Sequence, residues 1–458
     1  MIAPAQKKAV LRVKNSLTKE KDIFEPVDPL EVKLYICGPT VYDVSHMGHA
    51  RTYVSFDIIR RIMTDYFGYN IKYVMNVTDI DDKIIRKAMN DKIDFRDIAR
   101  KYENEFMDDM SNLNCLLPDC VTRVSEYVPE ILDYIQQIID NGYAYESGGS
   151  VYFDVQKYDA CEKHTYAKLE PDSKADPDKL AEGEGVLADV DGAANEKKNK
   201  SDFCLWKKSK ADEPSWESQW GNGRPGWHIE CSAMASSIFK TWPIDVHCGG
   251  VDLRFPHHDN ELAQSEAYYD CDCWINHFWH TGKLYIEGRK MSKTDKNYIT
   301  IKEILEHSNA RQLRYIFLKH NWESPMNYSE KSFPEAKAKD RQFSEFFTSV
   351  KILQREVDIR STNQKWLDAD FALQAKLAQS QKEIHEALCD SFDTSKALNV
   401  LSDLVTAANS YMAQPPNQDG QEVRKVALVR TVSRYVFKIL KVFGVYNEED
   451  YAAQQGGD

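Results

Sequence analysis

The sequence has no apolar run long enough to span a bilayer, and residues 1–21 lack the apolar stretch of a secretory signal. No Cys-x-x-Cys pair occurs among its 10 cysteines, and their spacing is not that of a small disulfide scaffold. These absences exclude a membrane span and a disulfide-stapled secreted domain. They predict a cytoplasmic chain with reduced thiols and no membrane partner.

Positive charge is also in short supply, with 59 Lys and Arg against 72 Asp and Glu and a net charge of −13. This balance excludes a uniformly basic nucleic-acid binder, and we expect no DNA partner. A local basic face for RNA stays possible because phosphate contacts need only one positive surface. The 458 residues, 42% hydrophobic and 29% charged, are typical of a globular protein of roughly three domains.

Strand and helix patterns alternate in the first part of the chain. Residues 32–37 form an apolar run that predicts a strand, residues 38–40 predict a turn, and helical periodicity follows from Tyr53 to Ile62. A second strand is predicted over residues 71–77, again followed by a helix. This repetition predicts an α/β domain with a doubly wound, Rossmann-like parallel sheet and a site at the carboxyl ends of its strands.

Two short motifs lie where such a site could use them, His46-Met47-Gly48-His49 at a helix start and Lys290-Met291-Ser292-Lys293-Thr294 after a strand-like segment. Both histidines lie near backbone N–H groups that favour phosphate, and the glycine lets a nucleotide approach the backbone. The lysines can neutralise charge on a triphosphate. Taken singly, the motifs could be a helix-start histidine pair and a solvated basic loop. Their joint presence in this order favours a nucleotide site.

Together the two motifs resemble the HIGH and KMSKS motifs of class I aminoacyl-tRNA synthetases. Met47 stands where Ile is commoner, and Thr294 stands in place of the final Ser. Neither change removes a phosphate-binding group. The resemblance implies that catalysis depends on four basic side chains: His46, His49, Lys290 and Lys293.

A third set of residues has the donor types of a zinc site. Cys37 ends the first strand, Cys231 lies far along the chain, and His257 and Glu261 are four residues apart after Pro256, a good helix start. Two thiolates, an imidazole and a carboxylate form an acceptable zinc set. The residues alone leave another interpretation open, in which the cysteines are small buried hydrophobes and the histidine is structural.

Three motifs resemble those of cysteinyl-tRNA synthetases. They are Cys-Gly-Pro-Thr-Val-Tyr-Asp at residues 37–43, Gly-Trp-His-Ile-Glu-Cys at 226–231 and Phe-Pro-His-His-Asp-Asn-Glu at 255–261. The similarity extends over residues 34–329 and looks closest to the eukaryotic cytosolic branch, which carries an insertion where residues 170–201 lie. It implies a ligase that activates L-cysteine with ATP and transfers it to tRNA(Cys).

The resemblance also implies one Zn²⁺ per chain and the Mg²⁺ that accompanies ATP. The expected zinc ligands are Cys37, Cys231, His257 and Glu261. His258 is expected to support the site rather than to ligate the metal.

Substrate contacts are implied in the same way. The residues expected at the bound cysteine are Gly38, Thr78, Trp227 and His257, although Trp227 is nearly as well explained as a core residue. The residues expected at ATP are His46, Gly48, His49, Asp252, Trp279 and Lys293. Among these, Asp252 is the candidate for the ribose hydroxyls, with a simple turn residue as its alternative.

Composition and periodicity predict the domain organisation. The predicted units are 1–30 (N-terminal extension), 31–114 (first half of the catalytic domain), 115–202 (connective insertion), 203–300 (second half, with the lysine loop), 301–340 (stem-contact region), 341–446 (helical tRNA-binding bundle) and 447–458 (polar tail). Residues 170–201 are highly charged and aperiodic, and we expect a solvated, mobile surface segment there.

An all-α region is predicted to follow the catalytic domain, with amphipathic stretches at residues 336–357, 368–388 and 422–443. The last stretch carries a basic stripe, which is explained equally well by a solvated face or an RNA contact. Its members are Arg430, Arg434, Lys438 and Lys441.

Two other functions would use part of the same pattern. A cysteine ligase with an amino-sugar acceptor, as in mycothiol synthesis, needs the zinc and ATP sites but no tRNA-reading helices. A non-catalytic RNA-binding relative does not need the four basic side chains of the motifs. The helical region and the intact motifs favour the tRNA ligase.

Overall fold

The structure is a computed structural model that describes residues 9–184, 196–291, 297–357, 365–415 and 422–455. Structural statements refer to these residues. Of the predicted site residues, Lys293 lies outside them, as does Thr294 of the same loop.

The strands are β1 (Arg12–Lys14), β2 (Lys21–Ile23), β3 (Val32–Ile36), β4 (Ile71–Val77), β5 (Cys120–Arg123), β6 (Ala144–Ser147), β7 (Ser150–Phe153), β8 (Phe203–Lys208), β9 (Gly223–Pro225), β10 (Ile244–Gly250), β11 (Ile275–Thr281), β12 (Leu284–Ile286), β13 (Arg289–Lys290) and β14 (Met326–Tyr328). The helices are α1 (Met47–Arg61), α2 (Asp82–Asp91), α3 (Phe95–Asn112), α4 (Val128–Asp140), α5 (Val155–Asp159), α6 (Pro177–Glu184), α7 (Trp227–Phe239), α8 (Asp259–Tyr269), α9 (Ile301–His307), α10 (Ala310–Leu318), α11 (Ser332–Glu356), α12 (Asp368–Cys389), α13 (Thr394–Met412), α14 (Val426–Val442) and α15 (Glu448–Gln455). None of these described helices is long and apolar enough to cross a membrane.

A five-stranded parallel sheet in the order β11-β10-β3-β4-β5 forms the centre of the catalytic region. The two predicted strands are β3 and β4, whose side chains are mostly buried as expected for a parallel sheet covered on both faces. From β3 the chain adds β4 and β5 on one side of the sheet, and it later adds β10 and β11 on the other side of β3. The switch in strand order therefore lies between β3 and β10, where parallel sheets place their ligands. The predicted fold class is confirmed.

The loops that follow β3 and β4 are hydrogen-bonded to each other. The Thr78 N–H donates to the Pro39 carbonyl (3.1 Å) and the Val41 N–H donates to the Thr78 carbonyl (3.2 Å). The Gly38 N–H donates to Asn76 Oδ1 at 2.8 Å. These bonds fix the carboxyl edge of the sheet beside Cys37.

Strands β6-β7-β8-β9 form a four-stranded antiparallel sheet, whose buried side chains share one hydrophobic cluster with those of helix α4. This sheet spans the predicted boundary at residue 202, because β6 and β7 precede it and β8 and β9 follow it. Part of the segment predicted to be solvated packs against the catalytic region. Helix α6 ends where Lys207 Nζ donates to the Glu184 carbonyl at 2.7 Å, and Gly183 lies against Pro256 and His228. Small and polar residues thus form a close-packed contact that composition did not predict. Residues 185–195 lie outside the described residues.

The C-terminal region is all-α, as predicted. The three amphipathic stretches correspond to α11, α12 and α14, and their apolar faces join the largest hydrophobic cluster of the described chain. The sequence analysis did not predict α13, which packs against α12, α11 and α14 and buries Leu401, Leu404 and Val405.

We predict that Gly38→Ala destabilises the fold by about 3 kcal/mol or more. A Cβ at this position would lie 1.6 Å from the Asn76 carbonyl oxygen, a backbone atom that cannot move without breaking the sheet edge. Urea denaturation checks the free energy of unfolding. The control is Gly288→Ala, at φ +76 with no heavy atom within 4 Å, which should cost only the backbone strain of about 1–2 kcal/mol. Equal losses in the two variants would contradict the role of Gly38.

Candidate active site

Four buried side chains meet at the carboxyl end of β3. The Sγ atoms of Cys37 and Cys231 are 3.7 Å apart, and Cys231 Sγ lies 3.6 Å from His257 Nε2. Glu261 Oε1 lies 3.0 Å from His257 Nε2 and 3.6 Å from Cys37 Sγ. All four donor atoms fall within 4.8 Å of one another. The structure therefore brings the predicted zinc ligands together.

The donor set fits a four-coordinate metal ion. Bond lengths of roughly 2.0–2.3 Å to tetrahedral ligands put the donors roughly 3.3–3.8 Å from one another, close to the separations found here. Burial raises the pKa of the Cys37 and Cys231 thiols, and burial lowers the pKa of His257, which is therefore neutral and able to ligate. Two thiols and a carboxylate facing one another out of water form an environment that favours a cation.

The outer side of His257 is held in place. Its Nδ1 lies 2.9 Å from His228 Nδ1, and the indole of Trp227 stacks on its ring with centroids 4.3 Å apart. Such partners fix the orientation of a metal-ligating imidazole. Trp227 was predicted to contact the bound cysteine, and the structure places it directly beside the donor cluster.

A second histidine pair extends the cluster. His258 Nε2 lies 3.3 Å from Cys37 Sγ, and His247 Nε2 lies 2.9 Å from Glu261 Oε2. These two histidines, with Cys37 and Glu261, form a second buried group of donors. The sequence analysis missed His247. Its place in the cluster depends on the parallel pairing of β10 with β3, which puts His247 beside Tyr35 on the face of the sheet that bears the cluster.

His258 connects the cluster to the N-terminal segment. Its Nδ1 lies 2.7 Å from His280 Nε2, and His280 Nδ1 lies 2.8 Å from Ser16 Oγ. Burial lowers the pKa of both imidazoles, so this chain of hydrogen bonds joins neutral rings.

His46 and His49 cap helix α1. The Gly48 N–H donates to His46 Nδ1 (3.0 Å), and the His46 N–H donates to His49 Nδ1 (3.3 Å). Because each Nδ1 accepts a hydrogen bond, the neutral tautomers carry their protons on Nε2. The rings stack at 3.8 Å, and burial lowers the pKa of His49 to about 3. The motif thus presents neutral N–H donors at a helix N-terminus.

Gly48 has no room for a side chain, since a Cβ would lie 2.8 Å from His46 Cε1 and 3.4 Å from Met291 Cε. The glycine therefore permits the capping geometry and also brings the lysine loop against the histidine motif.

The lysine loop is tied to the histidine motif by its backbone. The Met47 N–H donates to the Ile299 carbonyl (3.0 Å), and the Ile301 N–H donates to the Ser45 carbonyl (3.1 Å). Asn297 Nδ2 donates to the Lys290 carbonyl at 3.0 Å and closes the base of the loop. Lys290 is exposed.

The remaining predicted substrate contacts lie at the edge of the sheet, with one exception. Thr78 Oγ1 donates to Glu230 Oε2 (3.3 Å) beside Cys231, and Asp252 is exposed just beyond the end of β10. The exception is Trp279, whose predicted contact with ATP stays a prediction. Its indole is fully buried in the core.

The position of Trp279 follows from strand alternation. In β11 its side chain points to the face opposite His280, and it contacts three aromatic rings of the core: Phe24, Trp322 and Phe392. It therefore packs the core instead of lining an open site.

The family model for the tRNA synthetases class I (C) catalytic domain matches residues 23–338. A Dictyostelium discoideum protein named "Cysteine--tRNA ligase, cytoplasmic" is 49% identical over 447 residues, which cover 97% of this chain and 67% of that protein. The human protein of the same name is 40% identical over 545 residues, covering 96% of this chain and 72% of that protein. The chain belongs to the cysteine–tRNA ligase family of class I tRNA synthetases.

Solved structures agree with this family at the level of the fold. Mycobacterium tuberculosis methionyl-tRNA synthetase in complex with methionyl-adenylate superposes with a TM-score of 0.69 at 15% identity, covering 90% of this chain and 91% of that one. A leucyl synthetase from Agrobacterium radiobacter, solved with tRNA, gives 0.62 at 11% identity, covering 95% and 86%. At this identity the likeness establishes the fold, including the helical region that follows the catalytic domain.

We predict that His49 stays neutral, with Nε2 protonated, from about pH 7.5 down to about pH 5, because its pKa is lowered to about 3. Between about pH 6.5, the ordinary pKa of histidine, and pH 3, the unfolded chain takes up a proton at His49 and the folded chain does not. The free energy of unfolding therefore decreases as pH falls through this range. Long-range proton–nitrogen spectra of histidine-labelled protein check the tautomer, with His49→Asn to assign the signals. A titration midpoint near 6.5 would contradict the geometry.

Proposed function

We propose that this enzyme activates L-cysteine with ATP and transfers the cysteinyl group to tRNA(Cys). The observation that carries the proposal is the position of the donor cluster next to the histidine motif. Tyr53, on the helix that begins at that motif, donates from its hydroxyl to the Cys37 carbonyl at 3.1 Å. A thiol-binding centre and a phosphate-binding helix start therefore share one edge of the sheet. The names of the relatives also support a cytoplasmic location.

Zinc explains how cysteine would be selected. Serine is nearly isosteric with cysteine, and a pocket that relies on shape rejects such near-isosteres only about 100-fold. Bound Zn²⁺ supplies affinity for a thiolate over a neutral hydroxyl and lowers the thiol pKa. Cys37, Cys231, His257 and Glu261 would hold it, with Trp227 fixing the ring of His257.

Adenylate formation follows from the groups around this centre. Gly38 and Thr78 bind the amino acid with its carboxylate towards the α-phosphorus of ATP, and Asp252 binds the ribose. The carboxylate oxygen bonds to the α-phosphorus as the bond from that phosphorus to the oxygen bridging the α- and β-phosphates breaks, and pyrophosphate leaves; Mg²⁺ carried by ATP would neutralise its charge. Neutral imidazoles cannot supply positive charge. We therefore assign hydrogen-bond donation to the Nε2–H groups of the two motif histidines, His46 and His49, and charge neutralisation to Lys290 and Lys293.

The acceptor is proposed to be tRNA because of the helical region. On α14 the basic stripe is exposed, and within the described chain only Lys441 of its four members has an acidic partner, Glu448 at 2.6 Å. The other members are Arg430, Arg434 and Lys438. A row of free cations on one helix face suits the phosphates of an RNA.

We predict cysteine-dependent exchange of pyrophosphate with ATP in the absence of tRNA, and no exchange above background with serine. The exchange measures activation and thiol selection together, and tRNA charging is then measured with radiolabelled cysteine. Equal exchange with serine would overturn the proposed selection. Exchange without charging of any tRNA would favour a different acceptor, such as an amino sugar.

We predict that Cys231→Ser lowers the zinc content at least about tenfold and raises the KM for cysteine about 100-fold while the KM for ATP changes little, because a ligand is lost. Metal analysis of purified protein and exchange kinetics measure these quantities. The matched control is Cys248→Ser, which alters a fully buried thiol of β10 on the other face of the sheet and should retain zinc. Undiminished zinc in Cys231→Ser would remove this residue from the ligand set.

A further inference from the structure

One buried arginine joins three parts of the molecule that are far apart in the sequence. Arg314, on α10, is 1% exposed, and its Nη2 forms an ion pair with Asp57 of α1. Its other N–H groups donate to main-chain carbonyls, Nε to Leu113 at 3.2 Å and Nη1 to Phe443 at 3.2 Å. Nη2 also donates to the Asn114 carbonyl at 2.6 Å. The guanidinium thus contacts the helix that bears the histidine motif, the loop after α3 and the end of α14.

The contact with α1 is reinforced on both oxygens of Asp57. Oδ2 also accepts from Arg61 Nε (2.8 Å), and Oδ1 accepts from the Leu116 N–H (2.7 Å). Burial alone would raise the pKa of Asp57, but the two arginines outweigh it and the pKa is lowered. Asp57 lies three helical turns beyond His46 on the same rigid helix, so a shift of this carboxylate moves the histidine motif.

The contact with α14 depends on a glycine. Gly444 follows the end of this helix at φ +70, and its carbonyl accepts from Asn114 Nδ2 at 2.9 Å. A Cβ at this position would lie 2.7 Å from Arg314 Nη1 and 3.0 Å from Arg61 Nε. The end of the helix with the exposed basic stripe is therefore packed directly on the two arginines.

We propose that Arg314 is a positioning residue for acyl transfer, which sets the orientation of the helical bundle relative to α1. Adenylate formation uses only small substrates bound at the sheet edge. Transfer also needs an RNA that contacts the bundle while its acceptor end reaches the adenylate, so it alone depends on this orientation. A misplacement of about 1 Å at a distant contact can cost a reaction about 100-fold. The inference rests on the proposed function.

Arginine suits this role because its planar fork has five donors and no acceptor, which matches three carbonyls and a carboxylate around one side chain. A lysine ammonium has three donors on a flexible stem and cannot fix the same directions. The junction is therefore specific for orientation as well as for charge.

The decisive variant is Gly444→Ala, which displaces the end of α14 from the arginines without changing any charge. Its matched control is Gly68→Ala, at φ +81 with no heavy atom within 4 Å, which carries the same backbone strain but no collision. Three quantities are measured for each: the pyrophosphate exchange rate, the Kd for tRNA(Cys), and the single-turnover rate of transfer from preformed adenylate. Asn114→Ala provides a second, milder variant, which removes one hydrogen bond and adds no atoms; at φ +58 it carries backbone strain like the two glycine variants, for which Gly68→Ala is again the control.

We expect Gly444→Ala to slow transfer about tenfold or more, with exchange and tRNA affinity within about twofold of the unaltered enzyme. Asn114→Ala should slow transfer about threefold, and Gly68→Ala should change none of the three. Equal losses in exchange and transfer, a change confined to tRNA affinity, or unchanged transfer would each overturn the proposal. If the unaltered enzyme exchanges pyrophosphate but charges no tRNA, the proposed function fails instead.

Discussion

Two thiols, a carboxylate and several imidazoles are held out of water at the carboxyl end of β3, and the site is arranged around that burial. Uncompensated polar groups in such an interior are costly, and the raised thiol pKa values show the direction of the cost. The surrounding structure supplies partners for the outer nitrogens through His228 and His280. The sulfur, nitrogen and oxygen atoms that face the centre of the cluster contact mainly one another, which makes the cluster favourable for a cation.

The residues that the sequence predicted well were those placed by local geometry. His257 and Glu261 are one helical turn apart, and Cys37 directly follows a strand, so short patterns locate them. The features that the sequence analysis did not predict depend on long-range packing. His247 depends on which strand pairs with β3, Trp279 on which face of β11 it occupies, and α6 on a fit against Pro256 and His228 that composition does not encode.

The geometry of His46 and His49 bears on how the proposed site divides phosphate binding between hydrogen-bond donors and positive charges. A capped helix start with both Nδ1 atoms occupied presents Nε2–H donors, and His49 stays neutral at physiological pH because burial lowers its pKa to about 3. In the proposed reaction, positive charge comes from the loop that begins at Lys290. Ile299 and Ile301, at the far end of this loop, are hydrogen-bonded to the segment that bears the histidine motif. The proposed function thus separates two tasks: the helix-start donors bind the nucleotide, and the loop lysines stabilise the negative charge that develops on its phosphates.

The separation of the metal donors along the chain has a consequence for biosynthesis. Cys37 and Glu261 are 224 residues apart, and β10, which lies next to β3, is made only after the whole insertion. A growing chain on the ribosome therefore lacks the complete donor set until residue 261 has emerged, and the complete central sheet until β11 ends at residue 281. Under the proposed function, a metal ion would be acquired late in synthesis, and until then the two cysteines of the cluster are reduced thiols open to oxidation.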